Sequence, residues 1–201
     1  MPMSSRVNKD INIMIRGIGG QGVKLAGTII GQAAVYDGRD AAQSMKYGSA
    51  ITGGETRSEI KVSTERILYP KVTTIDVYVA LTQEDLENYF DATIYMAAQN
   101  VAKKIPDKIK DKIILAPMIE IAEKIGNTQV ANLVLIGILA QLFNIATPDS
   151  IIKAIKQLLP SKYHEANIQA LKEGFSLDLS EYNTADVLEL AKVCEIACER
   201  D

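Results

Sequence analysis

The sequence is poor in the side chains that most often carry nucleic-acid contacts. Among 201 residues there is no Trp, and aromatic residues make up 5%. The formal net charge of −3 provides no basic excess for tracking a phosphate backbone. No aromatic-rich strand offers a platform on which bases could stack. The composition therefore argues against nucleic acid as a partner.

Side chains that serve as nucleophiles or metal ligands are also scarce. The one histidine, His164, lies in "SKYHEANIQA" without an evident acid or base partner, and we interpret it as a surface or packing residue. Cys194 and Cys198 lie one helical turn apart, but no further Cys exists to complete a metal site, so packing is the simpler interpretation. No Ser–His–Asp or Cys–His set can be assembled. We therefore predict neither a catalytic residue nor a metal site in this chain.

Long apolar runs are missing as well. The longest, "VANLVLIGILAQLF" from Val130, is shorter than the about 20 residues that a membrane-spanning helix needs, and it predicts a buried helix or a subunit contact. The first ten residues, "MPMSSRVNKD", are polar and lack the apolar core of a signal peptide, so we expect a flexible N-terminus. A cytoplasmic, reducing location is the expectation.

What is present is an alternation of strand and helix patterns. Short β-branched runs alternate with segments of helical periodicity, and from residue 132 only helical patterns remain. This order predicts an α/β fold: one Rossmann-like domain over residues 11–201, with a mostly parallel sheet and a helical C-terminal part that includes an extension from about residue 178. Strands are predicted at 11–17, 41–48, 55–63, 76–81 and 112–117. Helices are predicted at 22–36, 82–90, 118–126 and 130–143, from Thr147-Pro148, and at 161–175 and 184–199.

The first strand runs into a glycine-rich segment, "RGIGGQGVKLAG". Gly17, Gly19 and Gly22 match G-x-G-x-x-G between a buried strand and a helix, which is the context the motif requires. Glycines permit positive φ and leave main-chain N–H groups free to approach a phosphate over the helix N-terminus. The segment predicts a site for a phosphate-bearing ligand, although a purely structural turn is an alternative.

A dinucleotide such as NAD is the less favoured ligand. It calls for a carboxylate about 20 residues further on, at the end of the second strand. That position holds "QSMKYG", and Asp37 and Asp40 precede the strand instead. Lys46 at the strand tip suits an additional phosphate better than an unmodified ribose.

The segment "KYGSAITGGETRSE" carries a second glycine pair. Gly53 and Gly54 are flanked by the hydroxyls of Ser49, Thr52 and Thr56 and followed by Arg57, a combination suited to gripping phosphate. A solvated loop between two strands is the alternative. In a parallel sheet, however, both glycine segments would leave the carboxyl ends of strands, where ligands bind.

Three segments together resemble one protein family: "GIGGQGVKLAGTIIGQAA", "YGSAITGGETRSEIKVS" and "YPKVTTIDVYVALTQED". They are similar to the gamma subunit of 2-oxoacid:ferredoxin (or acceptor) oxidoreductases, most of all the 2-oxoglutarate type. Pyruvate, 2-oxoisovalerate and indolepyruvate enzymes share the domain and remain alternatives. The likeness extends from about residue 11 to residue 177.

The resemblance implies a subunit that is inactive alone and holds coenzyme A. The whole enzyme oxidatively decarboxylates a 2-oxoacid, transfers the acyl group to coenzyme A and passes electrons to ferredoxin or another acceptor. Partner subunits of alpha, beta and delta type carry thiamine diphosphate and iron–sulfur clusters, and the assembly can dimerise. Carried over by position, the coenzyme A contacts are Gly17, Gly19, Gly20, Gln21 and Gly22 on the phosphates, with Gly53, Gly54, Thr56 and Arg57 as the opposite wall and Lys46 and Thr52 beside it. The sequence departs from the family at Ser49, where Pro is common, and at Thr52, where a basic residue is common.

Two further classes stay open from the residues alone. One is a free-standing NAD-type dehydrogenase, which would bind nucleotide and transfer hydride without partners. The other is an architectural subunit whose glycine segments only pack.

Overall fold

One mixed sheet organises the chain. The structure is a computed structural model that describes residues 10–48 and 54–197, with side chains up to residue 191. Within these residues six strands form the sheet in the order β2–β3–β1–β4–β5–β6. Their bounds are β1 Asp10–Ile18, β2 Asp40–Tyr47, β3 Glu55–Ser63, β4 Val77–Ala80, β5 Ile94–Ala98 and β6 Ile113–Ala116.

The sheet is parallel on one side and antiparallel on the other. β1, β4, β5 and β6 run parallel to one another. β3 lies between β2 and β1 and is antiparallel to both. The α/β class and the largely parallel sheet are thus confirmed. The second glycine segment was expected to follow the carboxyl end of a strand parallel to β1, and β2 is such a strand because β1 and β2 are both antiparallel to β3. The antiparallel direction of β3, the next strand along the chain, was not expected.

Two strands differ from the sequence prediction. β5, with all five residues buried, had no predicted counterpart. In the sequence of β3, Ile60 and Val62 alternate with polar residues and predict one solvent-facing side, yet only the first residue, Glu55, is exposed. The physical reason is its position inside the sheet, where α1 covers one face and charged side chains pair with one another on the other face.

Seven helices surround the sheet in the described part of the chain. The C-terminal helical part was predicted, and Thr147 caps a helix as expected, because its Oγ1 accepts the Ser150 N–H at 3.3 Å. The helices are α1 Val23–Tyr36, α2 Gln83–Glu87, α3 Met118–Lys124, α4 Ala131–Phe143, α5 Pro148–Leu158, α6 His164–Phe175 and α7 Ala185–Ala197. Short 3₁₀ turns occur at Asp107–Lys112, Thr128–Val130, Ser161–Tyr163 and Leu179–Glu181.

The alternation of side chains along β1 separates two cores. Ile13 and Ile15 face the larger core, which the helices α1, α3, α4, α5 and α6 cover. Met14 faces a smaller core on the opposite side, made with Tyr78, Leu86 and neighbouring residues. Arg16 follows Met14 by two residues and therefore lies on the same face as the smaller core.

The apolar helix α4 is held against α6 by two glycines. A Cβ at Gly137 would lie 2.7 Å from the backbone nitrogen of Phe175, and closer still to the Leu171 carbonyl oxygen. Gly174 on α6 meets the backbone of Val134 in the same way. The backbones of α4 and α6 are therefore in direct contact, and this contact determines the position of α4. No helix in residues 10–48 and 54–197 has the length and apolar character needed to cross a bilayer.

Candidate functional site

The glycine-rich segment forms a tight turn between β1 and α1. Gly20 has φ +98° and Gly22 has φ +73°, both in the region that L side chains rarely adopt. Gly22 is the N-cap of α1, and no side chain caps the helix there. The first N–H groups of α1 therefore lack a side-chain partner at a helix end that carries partial positive charge.

The glycines of this turn have different roles. A Cβ at Gly17 would lie 2.5 Å from Gln21 Oε1, and one at Gly22 would collide with the side-chain amide of Asn132. Gly20 meets nothing within 4 Å. An added side chain would thus displace Gln21 at Gly17 and Asn132 at Gly22, whereas the space next to Gly20 is open.

Gln21 holds the turn in shape. Its Oε1 accepts the Ile18 N–H at 2.9 Å, and its Nε2 donates to the Leu81 carbonyl at 3.2 Å, so the side chain joins the ends of β1 and β4. The Gly19 N–H donates to the Gly54 carbonyl at 3.2 Å, which joins the two glycine segments. The turn is therefore held by hydrogen bonds within the protein itself.

Two cavities open beside Gly20. The edge cavity, about 220 Å³, lies where β1, β4, β5 and β6 end, with Leu81, Ala98 and Met118 among its walls. The side cavity, about 350 Å³, extends from Gly22 toward the start of α6. Both are lined by Gly20, Gln129 and Asn132, and together we call them the groove. None of the described residues lining the groove carries a charged side chain.

The groove lies at helix N-termini. The turn before α1 forms one wall, and Ala131 and Asn132, in the first turn of α4, form another. α1 has no side-chain cap, whereas α4 continues the 3₁₀ turn Thr128–Val130, whose N-cap Asn127 accepts the Gln129 N–H at 3.0 Å. The groove thus opens at the carboxyl edge of the sheet, where ligands of open α/β sheets bind, next to main-chain donors suited to an anion.

The predicted cations lie in a different place. Lys46, Arg57 and Arg16 are direct neighbours across β2, β3 and β1 and form a row on the sheet face opposite α1. They line a cavity of about 360 Å³ together with Phe90 and Asn88, which we call the row cavity. It shares no lining residue with the groove. The row therefore adjoins the glycine turn at the sheet edge without forming a wall of the groove.

Acidic partners balance the two arginines of the row. Arg57 Nη2 lies 3.0 Å from Glu59 Oε1, and Arg16 Nη2 lies 2.9 Å from Glu55 Oε1. Both guanidinium groups also pack over the Phe90 ring, at 4.9 Å for Arg57 and 5.4 Å for Arg16. Lys46 is exposed and has no ion pair with a described residue. Lys46 is thus the cation of the row best placed to bind an anion.

Burial changes the proton affinities around Arg16. It raises the pKa of Asp85, and the hydrogen bond from the Thr82 hydroxyl and the nearby Arg16 guanidinium offset that shift only in part. Burial also raises the pKa of Tyr78 to about 12. It would lower the pKa of Arg16, but Tyr78, Asp85 and Glu55 outweigh burial and the net shift is upward. Arg16 therefore remains a cation within the structure.

The other predicted site residues are placed as follows. The Gly54 carbonyl accepts from Gly19, and Thr56 is buried, with its Oγ1 3.4 Å from the Gly54 carbonyl oxygen. Thr52 and Gly53 lie outside the described residues. Asn132 was missed by sequence reasoning, since its contact with Gly22 joins positions far apart in the chain and leaves no local signal.

His164, Cys194 and Cys198 were interpreted from the sequence as surface or packing residues. His164 Nε2 lies 2.8 Å from the Leu159 carbonyl oxygen, at the start of α6. The Cys194 side chain and Cys198 lie outside the described residues. Among the described residues, no group of three or more His, Cys, Asp or Glu side chains could hold a metal ion.

The fold and the groove define a class: an α/β domain with a groove at the carboxyl edge of a largely parallel sheet, beside a glycine turn. The family model described as pyruvate ferredoxin/flavodoxin oxidoreductase matches residues 12–177. The chain belongs to this family of oxidoreductases.

Individual relatives agree with this assignment. The chain is 38% identical over 176 residues to 2-oxoglutarate synthase subunit KorC of Methanothermobacter marburgensis, covering 82% of this chain and 95% of that protein. The gamma subunit of keto/oxoacid ferredoxin oxidoreductase from Geobacter sulfurreducens superposes with a TM-score of 0.71 at 29% identity, covering 83% of this chain and 94% of that one. A 2-oxoglutarate:ferredoxin oxidoreductase from Magnetococcus marinus, with 2-oxoglutarate, coenzyme A and succinyl-CoA bound, shares the fold at a TM-score of 0.73 and 22% identity, over 88% of this chain and 32% of that one.

Proposed function

We propose that this chain is the gamma-type subunit of a multi-subunit 2-oxoglutarate:ferredoxin oxidoreductase, and that it holds coenzyme A for acyl transfer. The observation that carries the proposal is the open space at Gly20, next to the uncapped N-terminus of α1. Main-chain N–H groups at such a helix end bind phosphate oxygens. The diphosphate of coenzyme A is assigned to this position.

In this proposal the third phosphate of coenzyme A lies in the row cavity. Lys46 is exposed beside Arg57, and a ribose phosphate is an anion that cationic side chains bind through charge-assisted hydrogen bonds. Since Arg57 is already paired with Glu59, we assign the leading contact to Lys46.

The other components of the reaction belong, in this proposal, to partner subunits. Thiamine diphosphate would supply the chemistry for decarboxylating the 2-oxoacid, and iron–sulfur clusters would carry its electrons to ferredoxin or another acceptor. Alpha-, beta- and delta-type subunits in a cytoplasmic complex are the proposed carriers. The residues of this chain bind and orient the acyl acceptor. The name of the archaeal relative supports 2-oxoglutarate as substrate, with pyruvate, 2-oxoisovalerate and indolepyruvate as the alternatives.

A free-standing NAD-type dehydrogenase is less well supported. The end of β2, where a carboxylate would bind the ribose of NAD, holds Lys46 and Tyr47. A lysine there favours a ligand with an additional phosphate.

Calorimetric titration of the assembled complex tests the proposal. We expect heat on adding coenzyme A and none on adding NAD. The proposal is wrong if the complex, purified with its natural partners, binds no coenzyme A. Identifying the proteins that co-purify from native cells tests the assignment as a subunit.

A further inference from the structure

Asn132 has a buried polar group that the described protein does not use. The residue lies in the first turn of α4, is 6% exposed and lines both cavities of the groove. Its Oδ1 is buried without a hydrogen-bond partner among the described residues. Most buried side-chain polar atoms in proteins have a partner, so an unpaired amide oxygen beside a cavity calls for an explanation.

Packing alone does not explain an amide at this position. The N-cap of α4 is Val130, so Asn132 does not cap its own helix. Its amide nitrogen would collide with a Cβ on Gly22, so the side chain fills the space beside that glycine, as a leucine of similar size would. The described structure thus fixes the size of this side chain but makes no use of its oxygen.

The groove indicates which kind of ligand group would use it. In the edge cavity, Leu81, Met118 and Ile119 provide apolar surface, and none of the described lining residues of the groove is charged. A neutral ligand segment with apolar carbons and amide N–H groups suits the walls beyond the glycine turn, while the main-chain N–H groups at the turn itself are the donors for a phosphate. The pantetheine arm of coenzyme A has this chemistry.

Resting on the proposed function, we infer that Asn132 is a positioning residue whose side-chain amide accepts a hydrogen bond from the pantetheine arm of coenzyme A in the groove. The torsion that orients an asparagine amide has broad minima, so rotation about it can turn the oxygen toward the groove. The phosphates then lie at the glycine turn and the row, and the arm extends past Asn132 along the carboxyl edge of the sheet.

The test divides coenzyme A into its two halves. In the assembled complex, pantetheine and adenosine 3′,5′-bisphosphate are measured as inhibitors that compete with coenzyme A in acyl transfer. For Asn132→Leu we expect the KM for coenzyme A and the inhibition constant of pantetheine to rise about three- to tenfold. This factor corresponds to the loss of one hydrogen bond. The inhibition constant of the bisphosphate and the KM for the 2-oxoacid should stay unchanged.

Thermal unfolding separates this role from a structural one. Because leucine removes an unpaired buried oxygen, Asn132→Leu should melt at or above the wild-type temperature. The matched control is Asn183→Leu, at a residue that lines neither cavity of the groove. Its amide accepts the Leu115 N–H at 2.7 Å and donates to the Leu115 carbonyl at 2.9 Å. The control should melt lower and leave pantetheine inhibition unchanged.

The possible outcomes have separate meanings. The inference is overturned if Asn132→Leu shifts both inhibition constants equally, or shifts neither. Should Asn132→Leu fail to fold, Asn132→Ala is judged by the same ratio of the two constants. If the wild-type complex does not bind coenzyme A, it is the proposed function that fails.

Discussion

Replacing Gly20 by alanine tests the coenzyme A site with the smallest possible change. The added methyl group meets no atom within 4 Å, so the fold can accept it. It would, however, occupy the open space next to the first N–H groups of α1, where the diphosphate is assigned. The variant therefore separates ligand binding from folding.

Two free-energy terms give the expected magnitudes. The first is backbone strain, because φ at Gly20 is +98° and an L residue at positive φ loses about 1–2 kcal/mol of stability. The second is the displacement of a phosphate from main-chain N–H groups. Losing one charge-assisted hydrogen bond of about 1.5–3 kcal/mol should raise the KM for coenzyme A about 10- to 150-fold.

Gly38→Ala is the matched control. Gly38 has φ +78°, also has no atom within 4 Å of an added Cβ, and lies after α1, lining neither cavity of the groove. Both variants should lose similar stability in urea unfolding, and only Gly20→Ala should show the higher KM. The KM for the 2-oxoacid should stay at the wild-type value in both. Equal KM values for coenzyme A in the two variants would refute the assignment of its phosphates to this turn.

Three more predictions concern packing, ion pairing and protonation. Gly137→Ala should destabilise the chain by about 1–3 kcal/mol in urea unfolding, because the α4–α6 contact has no room for a methyl group. As a control, Gly31→Ala, whose Cβ would be in ordinary contact at 3.8 Å, should stabilise the chain by up to about 1 kcal/mol. An equal loss of stability in both variants would contradict the packing argument. Arg57→Ala should raise the KM for coenzyme A while decarboxylation of the 2-oxoacid continues. It should also lower the free energy of unfolding by about 1–3 kcal/mol, because Glu59 loses its partner. The same change in a Glu59→Gln background should lower stability less, and additive losses would disprove the pairing. Burial raises the pKa of Asp85, so the folded chain binds the Asp85 proton more tightly than the unfolded chain does. The stability of the wild type relative to Asp85→Asn should therefore increase as pH falls from above that raised pKa toward the ordinary value of 3.8. A stability difference between the two proteins that does not change with pH in calorimetric melts would rule out the raised pKa.

Much of the fold could be predicted because its signals are local. The apolar run before Gly17 and the helical periodicity after Gly22 placed β1 and α1 within one residue of their bounds. Thr147 and Pro148 marked the start of α5. β5 was not predicted because its sequence, "IYMAA", is a short apolar run without alternation or turn residues. Periodicity cannot distinguish such a run from a helix fragment.

The candidate site depends on contacts that no local pattern encodes. The insertion of β3 between β2 and β1 sets Lys46 beside Arg57 and Arg16 in one row, and an expectation of parallel strands gave no such order. The pairing of Arg57 with Glu59 at i and i+2 is a property of one strand face and could have been suspected once β3 was assigned. The contact between Gly22 and Asn132 could not, since tertiary packing alone creates it.

The side-chain bonds of Gln21 have a kinetic consequence. Because folding already holds the turn between β1 and α1 in place, an incoming molecule need not organise it, and little affinity is lost to ordering a flexible loop. Loading and unloading the acyl acceptor should then be fast relative to any large rearrangement of this subunit. A rapid-mixing experiment should accordingly show a single association phase whose rate rises linearly with coenzyme A concentration.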